Sequence, residues 1–343
     1  MRTSIILLVL SIALVNVLAL HQIWRSPLSQ LKSTPLGLGT WKIPLEKTES
    51  VVYDAIKCGV RHIDCACDYG NEVEVGQGIA LALKDGVCTR NELWITSKLW
   101  NTYHAKEHVQ PAIQKSLTMM QLDYFDLYLI HFPISIKYVP FESRYPPGWF
   151  YQSDTQKSSR SSQRNIEVIY IPLSETWSAM EKLVMEGKTR YIGVSNFNVQ
   201  LLADLLGYCK IRPFANQIEL HPHLAQPSLV NWCQAQYIEI IAYSPFGSPG
   251  YVELNMDLNM GRNVFQEEFI KGLGEKYKKT PAQIILRWHI QRNTFPIFKT
   301  SSKERIIENC DIFDFSLTFE EVTLVLIQSD RSHCEDGAFH RIK

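Results

Sequence analysis

Eight short apolar segments alternate with longer amphipathic segments along most of this chain. Apolar runs bounded by turn residues are typical of buried strands, and the longer segments have the apolar spacing of helices. Eight strand–helix units over roughly 300 residues predict an α/β fold, a closed (β/α)₈ TIM barrel with long βα loops over its C-terminal face. The predicted strands are Leu36–Trp41, His62–Ala66, Leu93–Leu99, Asp126–Phe132, Arg190–Val194, Phe214–Glu219, Ile238–Tyr243 and Phe295–Lys299.

The intervening segments predict helices, and Thr280-Pro281 is a typical helix start with a capping residue before proline. An open doubly wound sheet is the alternative fold, and it normally carries G-x-G-x-x-G after its first strand. Here Gly37-Leu38-Gly39 is followed by Trp41 without a third glycine, which favours the barrel. The predicted helices include Thr48–Cys58, Val73–Leu83, Glu107–Met120, Ser174–Glu186, Val199–Tyr208 and Pro227–Gln236.

The first twenty residues differ from the rest of the chain. An apolar run extends from Ile5 to Leu20, and Val17-Leu18-Ala19 is a plausible signal-peptide cleavage site. A membrane anchor is the alternative, although the run is at the short limit of the ~20 apolar residues that a spanning helix needs. We expect a signal peptide at 1–19, one domain at 20–343 and a secreted protein without stable membrane association. Retention in the secretory pathway is the alternative localisation.

Composition narrows the possible functions. The chain has 35 basic and 35 acidic side chains and no basic run, so nucleic acid is not an expected partner. Eight cysteines would suggest disulfides in a secreted protein, but no Cys-x-x-Cys occurs and several cysteines fall in helix-like segments. We therefore expect buried free thiols, no metal site, and a monomer that acts on a small molecule.

Polar residues stand at the ends of seven of the eight predicted strands. In a (β/α)₈ barrel, such residues at the carboxyl ends of strands are typical of catalytic and binding groups. One of them alone has an ordinary structural explanation, but a ring of them indicates an active site. The residues are Asp64, Lys98, His131, Ser195, Asn196, Gln217, Tyr243, Ser244, Lys299 and Thr300.

Asp64, Tyr69, Lys98 and His131 make chemical sense together. A buried carboxylate at position 64 needs a cation, which Lys98 on the next strand can supply. A lysine beside the tyrosine hydroxyl favours the phenolate and lowers a pKa that is ordinarily about 10. Tyr69 could then donate a proton to a carbonyl oxygen, and His131 could donate a hydrogen bond to the same oxygen.

Proton donation alone reduces nothing, so a hydride must come from a cofactor. With no metal cluster and no flavin motif, a nicotinamide is the expected source. Gln217 could bind its carboxamide, and Tyr243 could stack on its ring. Two long connections, from Phe132 to Pro172 and from Ser244 to Phe265, are expected to lie over this face as functional loops.

At these residues the sequence resembles the aldo-keto reductases. The similarity extends from about Thr34 to Thr318, and the family's motifs occur in the family's order. The motifs are GLGTW (Gly37–Trp41), HIDCACDYGNE (His62–Glu72), SKLWN (Ser97–Asn101), DLYLIHFP (Asp126–Pro133), GKTRYIGVSNF (Gly187–Phe197), NQIELHP (Asn216–Pro222), AYSPFGS (Ala242–Ser248) and KTSSKERIIEN (Lys299–Asn309).

The resemblance implies a role for each matching residue. The four residues at positions 64, 69, 98 and 131 would form the catalytic tetrad. Ser195, Asn196 and Gln217 would hold the carboxamide of the nicotinamide. Lys299 and Arg305 suit the dianionic 2′-phosphate of the cofactor, which favours NADPH over NADH. Ser244, Phe246 and Ser248 would lie along the pyrophosphate, and Glu308 and Asn309 would lie at the adenosine. The other implied cofactor contacts are Thr40, Trp41, Asp64, Tyr243, Thr300 and Ser301.

Within the family, CDYGNE, SKLWN, HFP and YVPFESRYPPG are similar to the xylose-reductase-like branch. A signal peptide on this branch resembles the secreted insect 3-dehydroecdysone 3β-reductases, which implies reduction of a steroid ketone such as 3-dehydroecdysone. A general aldose or aldehyde reductase is one alternative, and a structural or regulatory barrel without activity is another, which the complete tetrad disfavours. Phe298 stands where relatives usually have proline. The substrate mouth would be lined by Trp41, Asp68, Trp100, His131 and Phe132.

Overall fold

The structure, a computed structural model, describes residues 35–149, 166–247 and 263–335, with side chains up to residue 327. The predicted signal peptide at 1–19 and the predicted cofactor contact Ser248 lie outside these residues. Within the described residues, no helix is both long enough and apolar enough to cross a membrane.

Eight parallel strands close into a barrel, as the alternation of apolar and amphipathic segments predicts, and the open-sheet alternative is wrong. Every predicted strand is present, and each observed end lies within two residues of its predicted position. The order around the barrel is β1-β2-β3-β4-β7-β8-β9-β10 and back to β1. The strands are β1 (Gly37–Gly39), β2 (His62–Asp64), β3 (Trp94–Leu99), β4 (Phe125–Ile130), β7 (Thr189–Ser195), β8 (Ala215–Glu219), β9 (Glu239–Tyr243) and β10 (Phe295–Phe298).

Helices surround the barrel, and the six that were predicted with bounds begin and end within three residues of them. Thr280 caps one of them by a capping box with Gln283, followed by a proline at the first turn. The helices are α1 (Leu45–Lys57), α2 (Glu72–Lys84), α3 (Lys106–Met120), α4 (Leu173–Met185), α5 (Val199–Tyr208), α6 (Pro227–Ala235), α7 (Glu268–Tyr277), α8 (Pro281–Gln291), α9 (Lys303–Cys310) and α10 (Phe319–Glu335).

The interior of the barrel is a packed apolar core. Leu127 and Leu129 on β4 lie in one cluster with Ile241 and Ile297 from the opposite side. Gly193 on β7 lies so close to this cluster that a β-carbon there would stand 2.6 Å from the Ala215 carbonyl oxygen. The core fills the lower barrel, so the polar ends of the strands remain for a site above it.

The connection after β4 contains an element that the sequence did not predict. Strand β5 (Ser135–Ile136) pairs antiparallel with β6 (Val168–Ile169) and forms a small sheet outside the barrel. Between them, in the segment 137–149, Pro146 lies against Gly70, which follows β2, and Trp149 packs on Trp100, which follows β3. This part of the long loop therefore has defined contacts with the strand ends.

The cysteines whose side chains the structure describes are all free, as predicted. Cys65, Cys67, Cys88 and Cys233 are buried, and burial raises the pKa of Cys233 to about 11. Thiols held protonated in this way pack as small apolar groups.

Candidate active site

Three neighbouring strands and one turn bring the four proposed catalytic side chains together. Asp64 ends β2, Lys98 lies one residue before the end of β3, and His131 directly follows β4. Tyr69 belongs to a 3₁₀ turn, Cys67–Tyr69, that leaves the end of β2. Because parallel strands in a barrel have their carboxyl ends on one face, all four side chains reach the same region.

Lys98 is the centre of this group, and its side chain is fully buried. Its ammonium nitrogen lies 2.5 Å from Oδ1 of Asp64 and 3.1 Å from the hydroxyl oxygen of Tyr69. A third hydrogen bond of 3.0 Å goes to the carbonyl oxygen of Cys65. An ammonium has three protons to donate, so the three acceptors satisfy it completely in an interior from which water is excluded.

Asp64 is held from two further sides. The amide of Gln217, on the far side of the barrel, donates a hydrogen bond of 2.7 Å to Oδ2. The backbone N–H and the hydroxyl of Thr40 both donate to the Asp64 carbonyl oxygen at 3.0 Å. The carboxylate therefore has a donor on each oxygen, which compensates the desolvation of a side chain that is 3% exposed.

Tyr69 remains a proton donor rather than a phenolate. Burial raises the pKa of its hydroxyl well above the ordinary value, and the carboxylates of Asp64 and Asp68 act in the same direction. The expectation that Lys98 lowers the tyrosine pKa below its ordinary value is therefore wrong. Desolvation and two nearby negative charges outweigh one ammonium that Asp64 already balances.

His131 packs against Tyr69, with the two ring centroids 5.9 Å apart in an edge-to-face arrangement. Its Nδ1 lies 3.1 Å from Oδ1 of Asp68. The amide of Asn196 donates to the His131 carbonyl oxygen at 2.9 Å. The imidazole thus lies against the ring of Tyr69, with a carboxylate beside one of its nitrogens.

Aromatic side chains form the walls above these polar groups. Trp41 is 40% exposed, and its ring centroid is 6.4 Å from that of Tyr69. Trp100 packs edge-on against His131 at 5.2 Å and against Phe132 at 6.1 Å. The predicted substrate residues are thus joined by direct contacts with one another and with Tyr69 into one cluster, which we call the substrate mouth.

Trp149 belongs to the substrate mouth and was missed by the sequence reasoning. Its ring lies 4.9 Å from that of Trp100 and 5.1 Å from that of Phe132. Trp100 Nε1 also lies 3.5 Å from the carbonyl oxygen of Gly148. A tryptophan after Pro146-Pro147-Gly148 in a long βα loop was a usable signal, since such loops cover the active face of a barrel.

Polar groups at the ends of β7 to β9 form a second cluster beside the first. The hydroxyl of Tyr243 donates to Oδ1 of Asn196 at 2.8 Å, and the Asn196 amide donates to the Ser195 hydroxyl at 3.1 Å. Ser195 in turn donates to the backbone carbonyl of Gln217 at 2.8 Å. The backbone of Asn196 has a φ of 65°, a left-handed conformation that is uncommon for a non-glycine residue and occurs often at functional sites.

The segment after β9 continues this cluster. Ser244 also has a left-handed backbone, with a φ of 48°, and its carbonyl accepts from the Gly247 N–H at 2.8 Å to close a turn. Phe246 in this turn packs against Phe265. The turn therefore holds Ser244 and Phe246, two of the implied pyrophosphate contacts, at the carboxyl end of β9.

Cationic side chains follow β10, where the resemblance implies the 2′-phosphate. Lys299 and Arg305 are exposed, and neither forms an ion pair with any carboxylate in the described ranges. Ser301 is exposed beside them, whereas Thr300 is buried and its hydroxyl accepts from the Ser302 N–H. Two cations without a carboxylate partner in the described ranges, together with the exposed hydroxyl of Ser301, fit a phosphate dianion.

Glu308 and Asn309, the implied adenosine contacts, lie on α9 behind these cations. Oε1 of Glu308 accepts a hydrogen bond of 2.7 Å from the Thr280 hydroxyl, and Asn309 is buried. Helix α8 therefore holds Glu308 directly. The structure describes every predicted site residue except Ser248. Besides the substrate mouth, these residues form three groups. They are the proposed catalytic group (Asp64, Tyr69, Lys98 and His131), the proposed amide-binding group (Ser195, Asn196, Gln217 and Tyr243) and the cationic group after β10.

The chain is similar to known proteins over most of its length. The model of the Aldo/keto reductase family matches residues 35–326. A relative from Emericella nidulans, named as a probable NAD(P)H-dependent D-xylose reductase, is 45% identical over 291 residues. That match covers 84% of this chain and 88% of the relative.

Two solved structures are similar over most of the chain. A Bombyx mori aldo-keto reductase in complex with NADP has a TM-score of 0.73 and 39% sequence identity, covering 85% of this chain and 88% of that chain. The aldose reductase from Schistosoma japonicum has a TM-score of 0.75 and 34% identity, covering 86% and 88% respectively.

Proposed function

The chain belongs to the aldo/keto reductase family, and we propose that it reduces a carbonyl group to an alcohol with NADPH as reductant. One observation carries the proposal. The Lys98 ammonium lies between the carboxylate of Asp64 and the hydroxyl of Tyr69, at 2.5 and 3.1 Å. This arrangement is suited to deliver a proton and then to stabilise the oxygen that has lost it.

Tyr69 is the general acid. Its raised pKa keeps the hydroxyl protonated before reaction, so a proton is present to transfer to the carbonyl oxygen. As the phenol oxygen gains negative charge, the hydrogen bond from Lys98 becomes charge-assisted and strengthens. The ring of His131 faces the same space and orients the carbonyl oxygen toward the tyrosine.

The amide-binding group gives the cofactor its position. Bound NADPH supplies the hydride that the carbonyl carbon accepts. Ser195 and Asn196 present a hydroxyl and an amide for the carboxamide, and Tyr243 presents its ring. Gln217 has a double task, because its side-chain amide already donates to Asp64.

The cationic group after β10 favours NADPH over NADH. Lys299 and Arg305 offer two exposed positive charges, and Ser301 offers a hydroxyl, at the place where the family binds the 2′-phosphate. NADH has a hydroxyl in place of that phosphate and would leave both cations uncompensated. The NADP bound by the Bombyx mori relative supports the same choice.

For the substrate, we propose a steroid ketone such as 3-dehydroecdysone. Three aromatic side chains of the mouth, Trp41, Phe132 and Trp149, have exposed surface, and the buried ring of Trp100 packs against Phe132 and Trp149. Rigid aromatic walls bind a flat apolar ring system through a large contact area. Asp68 at the floor of the mouth could accept a hydrogen bond from a hydroxyl group of such a substrate.

An aldose is the second candidate, favoured by Asp68 and by the D-xylose reductase relatives. A sugar has a hydroxyl on nearly every carbon, and a carboxylate is a strong acceptor for them. The aromatic walls would contribute less to its binding, because a sugar offers little apolar surface.

A substrate panel with NADPH tests the proposal. We expect reduction of a 3-ketosteroid, a pentose and an aromatic aldehyde, with the largest kcat/KM for the ketosteroid because it has the largest apolar surface to bury against the aromatic side chains. A larger kcat/KM for the pentose would refute the steroid proposal in favour of the aldose. Turnover of none of the three would contradict carbonyl reduction.

Tyr69→Phe separates the chemistry from cofactor binding. We expect a loss of kcat of at least about a thousandfold, since general acid catalysis contributes about 10²–10⁴ and the lysine loses its acceptor. The dissociation constant for NADPH, measured by quenching of tryptophan fluorescence, should change less than twofold. Near-normal turnover in this variant would remove Tyr69 from its assigned role.

A further inference from the structure

Glu72 is a buried carboxylate that the proposed mechanism does not use. It lies three residues after Tyr69, in the first turn of α2, and is 2% exposed. Burial raises its pKa above the ordinary value. A carboxylate in this position needs a hydrogen-bond donor, because burial without one is costly.

Tyr145, in the long loop after β4, supplies that donor. Its hydroxyl donates to Oε2 of Glu72 across 73 positions of sequence. The ring of Tyr145 also packs edge-on against Phe141, and the Lys115 ammonium lies 5.2 Å from its centroid. The pair therefore joins the segment that carries Tyr69 to the long loop after β4.

The residues after Tyr145 run from this bond to the substrate mouth. Pro146 lies against Gly70, the residue after the proposed acid, within 3.2 Å of where a β-carbon on Gly70 would stand. Two residues further, the carbonyl of Gly148 faces the Trp100 indole N–H, and Trp149 packs on Trp100 and Phe132. Only three residues separate the hydroxyl bound to Glu72 from an aromatic wall of the mouth.

We propose that Glu72 and Tyr145 are positioning residues for substrate binding, which hold the 137–149 segment so that Trp149 forms one wall of the mouth. This inference rests on the proposed function, because it assigns the mouth to the carbonyl substrate. The bond acts through Trp149 and does not touch the reacting atoms. It therefore affects substrates large enough to reach Trp149 and leaves small ones unaffected.

Tyr145→Phe tests the proposal, because it removes only the hydroxyl. We expect the KM for a bulky aromatic ketone to rise about tenfold, as the loss of one anchoring hydrogen bond predicts. The kcat for this ketone, the KM for propanal and the NADPH dissociation constant should each stay within twofold. An equal rise in KM for both substrates would indicate general damage and overturn the proposal.

Tyr138→Phe is the matched control. Tyr138 lies on the same segment, where its ring stacks on His108 with centroids 3.6 Å apart, well away from Glu72. We expect wild-type KM values for both substrates. If this variant impairs the bulky ketone as strongly as Tyr145→Phe does, the effect does not belong to the bond with Glu72.

A double-mutant cycle with Trp149→Ala tests whether Tyr145 affects substrate binding through Trp149. If Tyr145 acts through Trp149, the double variant should have the same KM for the bulky ketone as Trp149→Ala alone. Independent, additive increases would overturn the proposed route.

Amide hydrogen exchange tests whether the hydrogen bond from Tyr145 to Glu72 anchors the 137–149 segment, and this test does not depend on enzyme activity. The amides of Ser143 and Arg144, both bonded to the Pro140 carbonyl, should exchange faster in Tyr145→Phe than in wild type or Tyr138→Phe. Unchanged exchange would refute the anchor even in a fully active enzyme. Conversely, faster exchange in a protein that reduces no carbonyl would refute the proposed function and leave the anchor established.

Discussion

Lys98 illustrates how one side chain can organise a site. Its three protons meet a carboxylate, a backbone carbonyl and a phenol, so no donor is left over. Replacement of Asp64 by a neutral residue would leave a buried cation without compensation, which typically costs about 3–5 kcal/mol. The same bonds therefore contribute to stability and prepare the tyrosine for proton transfer.

The pKa of Tyr69 is a property that the types of the surrounding residues do not predict. A lysine near a tyrosine suggests a lowered pKa, yet burial and the carboxylates of Asp64 and Asp68 raise it. The balance depends on how much water reaches the hydroxyl and on whether the lysine charge is already paired. Neither quantity can be read from the residue types.

Arg305→Ala tests the cofactor preference at the scale of one residue. The KM for NADPH should rise about 10–100-fold, because a hydrogen bond to a charged group contributes about 1.5–3 kcal/mol. The KM for NADH should change less than twofold, since NADH has no 2′-phosphate. Both are measured by steady-state kinetics with a saturating carbonyl substrate.

Lys303→Ala is the control for that experiment. Lys303 is two residues away on the same helix, but its ammonium is paired with Asp54 at 3.0 Å. We expect an unchanged preference for NADPH in this variant. Equal losses for NADPH and NADH in Arg305→Ala would exclude the assignment to the 2′-phosphate.

At the scale of elements, helix α2 approaches α1 and α3 so closely at two glycines that no side chain would fit there. A β-carbon on Gly76 would stand 2.4 Å from the carbonyl oxygen of Met120 at the end of α3. One on Gly78 would stand 2.6 Å from the carbonyl oxygen of Glu49 in α1. Helix α2 also begins with Glu72, so its close packing fixes the residue to which Tyr145 is anchored.

Gly76→Ala should therefore destabilise the protein by about 1–3 kcal/mol, the usual cost of overpacking against a backbone that cannot yield. The measurement is the urea concentration at half-unfolding, followed by circular dichroism.

Gly207→Ala in α5 is the matched control. Apart from the backbone of its own helix and its chain neighbours, no atom of the described residues lies within 4 Å of a β-carbon at Gly207. Alanine there should therefore stabilise this helix by up to about 1 kcal/mol. Equal shifts of the two midpoints in the same direction would contradict the packing argument.

At the scale of the whole molecule, the two ends of the barrel have different tasks. The carboxyl ends of the strands hold the proposed catalytic and cofactor groups. At the opposite end, Asp126 is buried and accepts from Arg90 at 2.8 Å, from Arg190 at 3.1 Å and from the Ile95 N–H at 2.9 Å. Both guanidinium groups also face the ring of Tyr124. This second network contains no group positioned for catalysis and closes the floor of the barrel.

We propose that the protein enters the secretory pathway by a signal peptide at 1–19. The apolar run from Ile5 to Leu20 supports this proposal. Protein recovered from the medium of cells that express the full chain should begin near Leu20 on N-terminal sequencing. Recovery only from membranes, with Met1 retained, would support an anchor instead.

The sequence by itself determined the barrel. The apolar periodicity that marks each strand and helix extends over only a few residues, so it can be recognised without knowledge of the fold. It also placed polar residues at the strand ends, since parallel strands turn these ends to one face. The identity of the tetrad candidates, including Asp64 and Lys98, followed from that rule together with the family motifs.

Only the tertiary structure decided which of these groups meet. Gln217 reaches Asp64 across 153 positions, and Tyr145 reaches Glu72 across 73. Trp149 joins the mouth through a loop whose path has no periodic signal. Such contacts depend on closure of the barrel and on the course of its loops, and local sequence patterns carry no information about distances between segments so far apart. Burial, which raises the pKa of Tyr69, likewise exists only once the chain has closed.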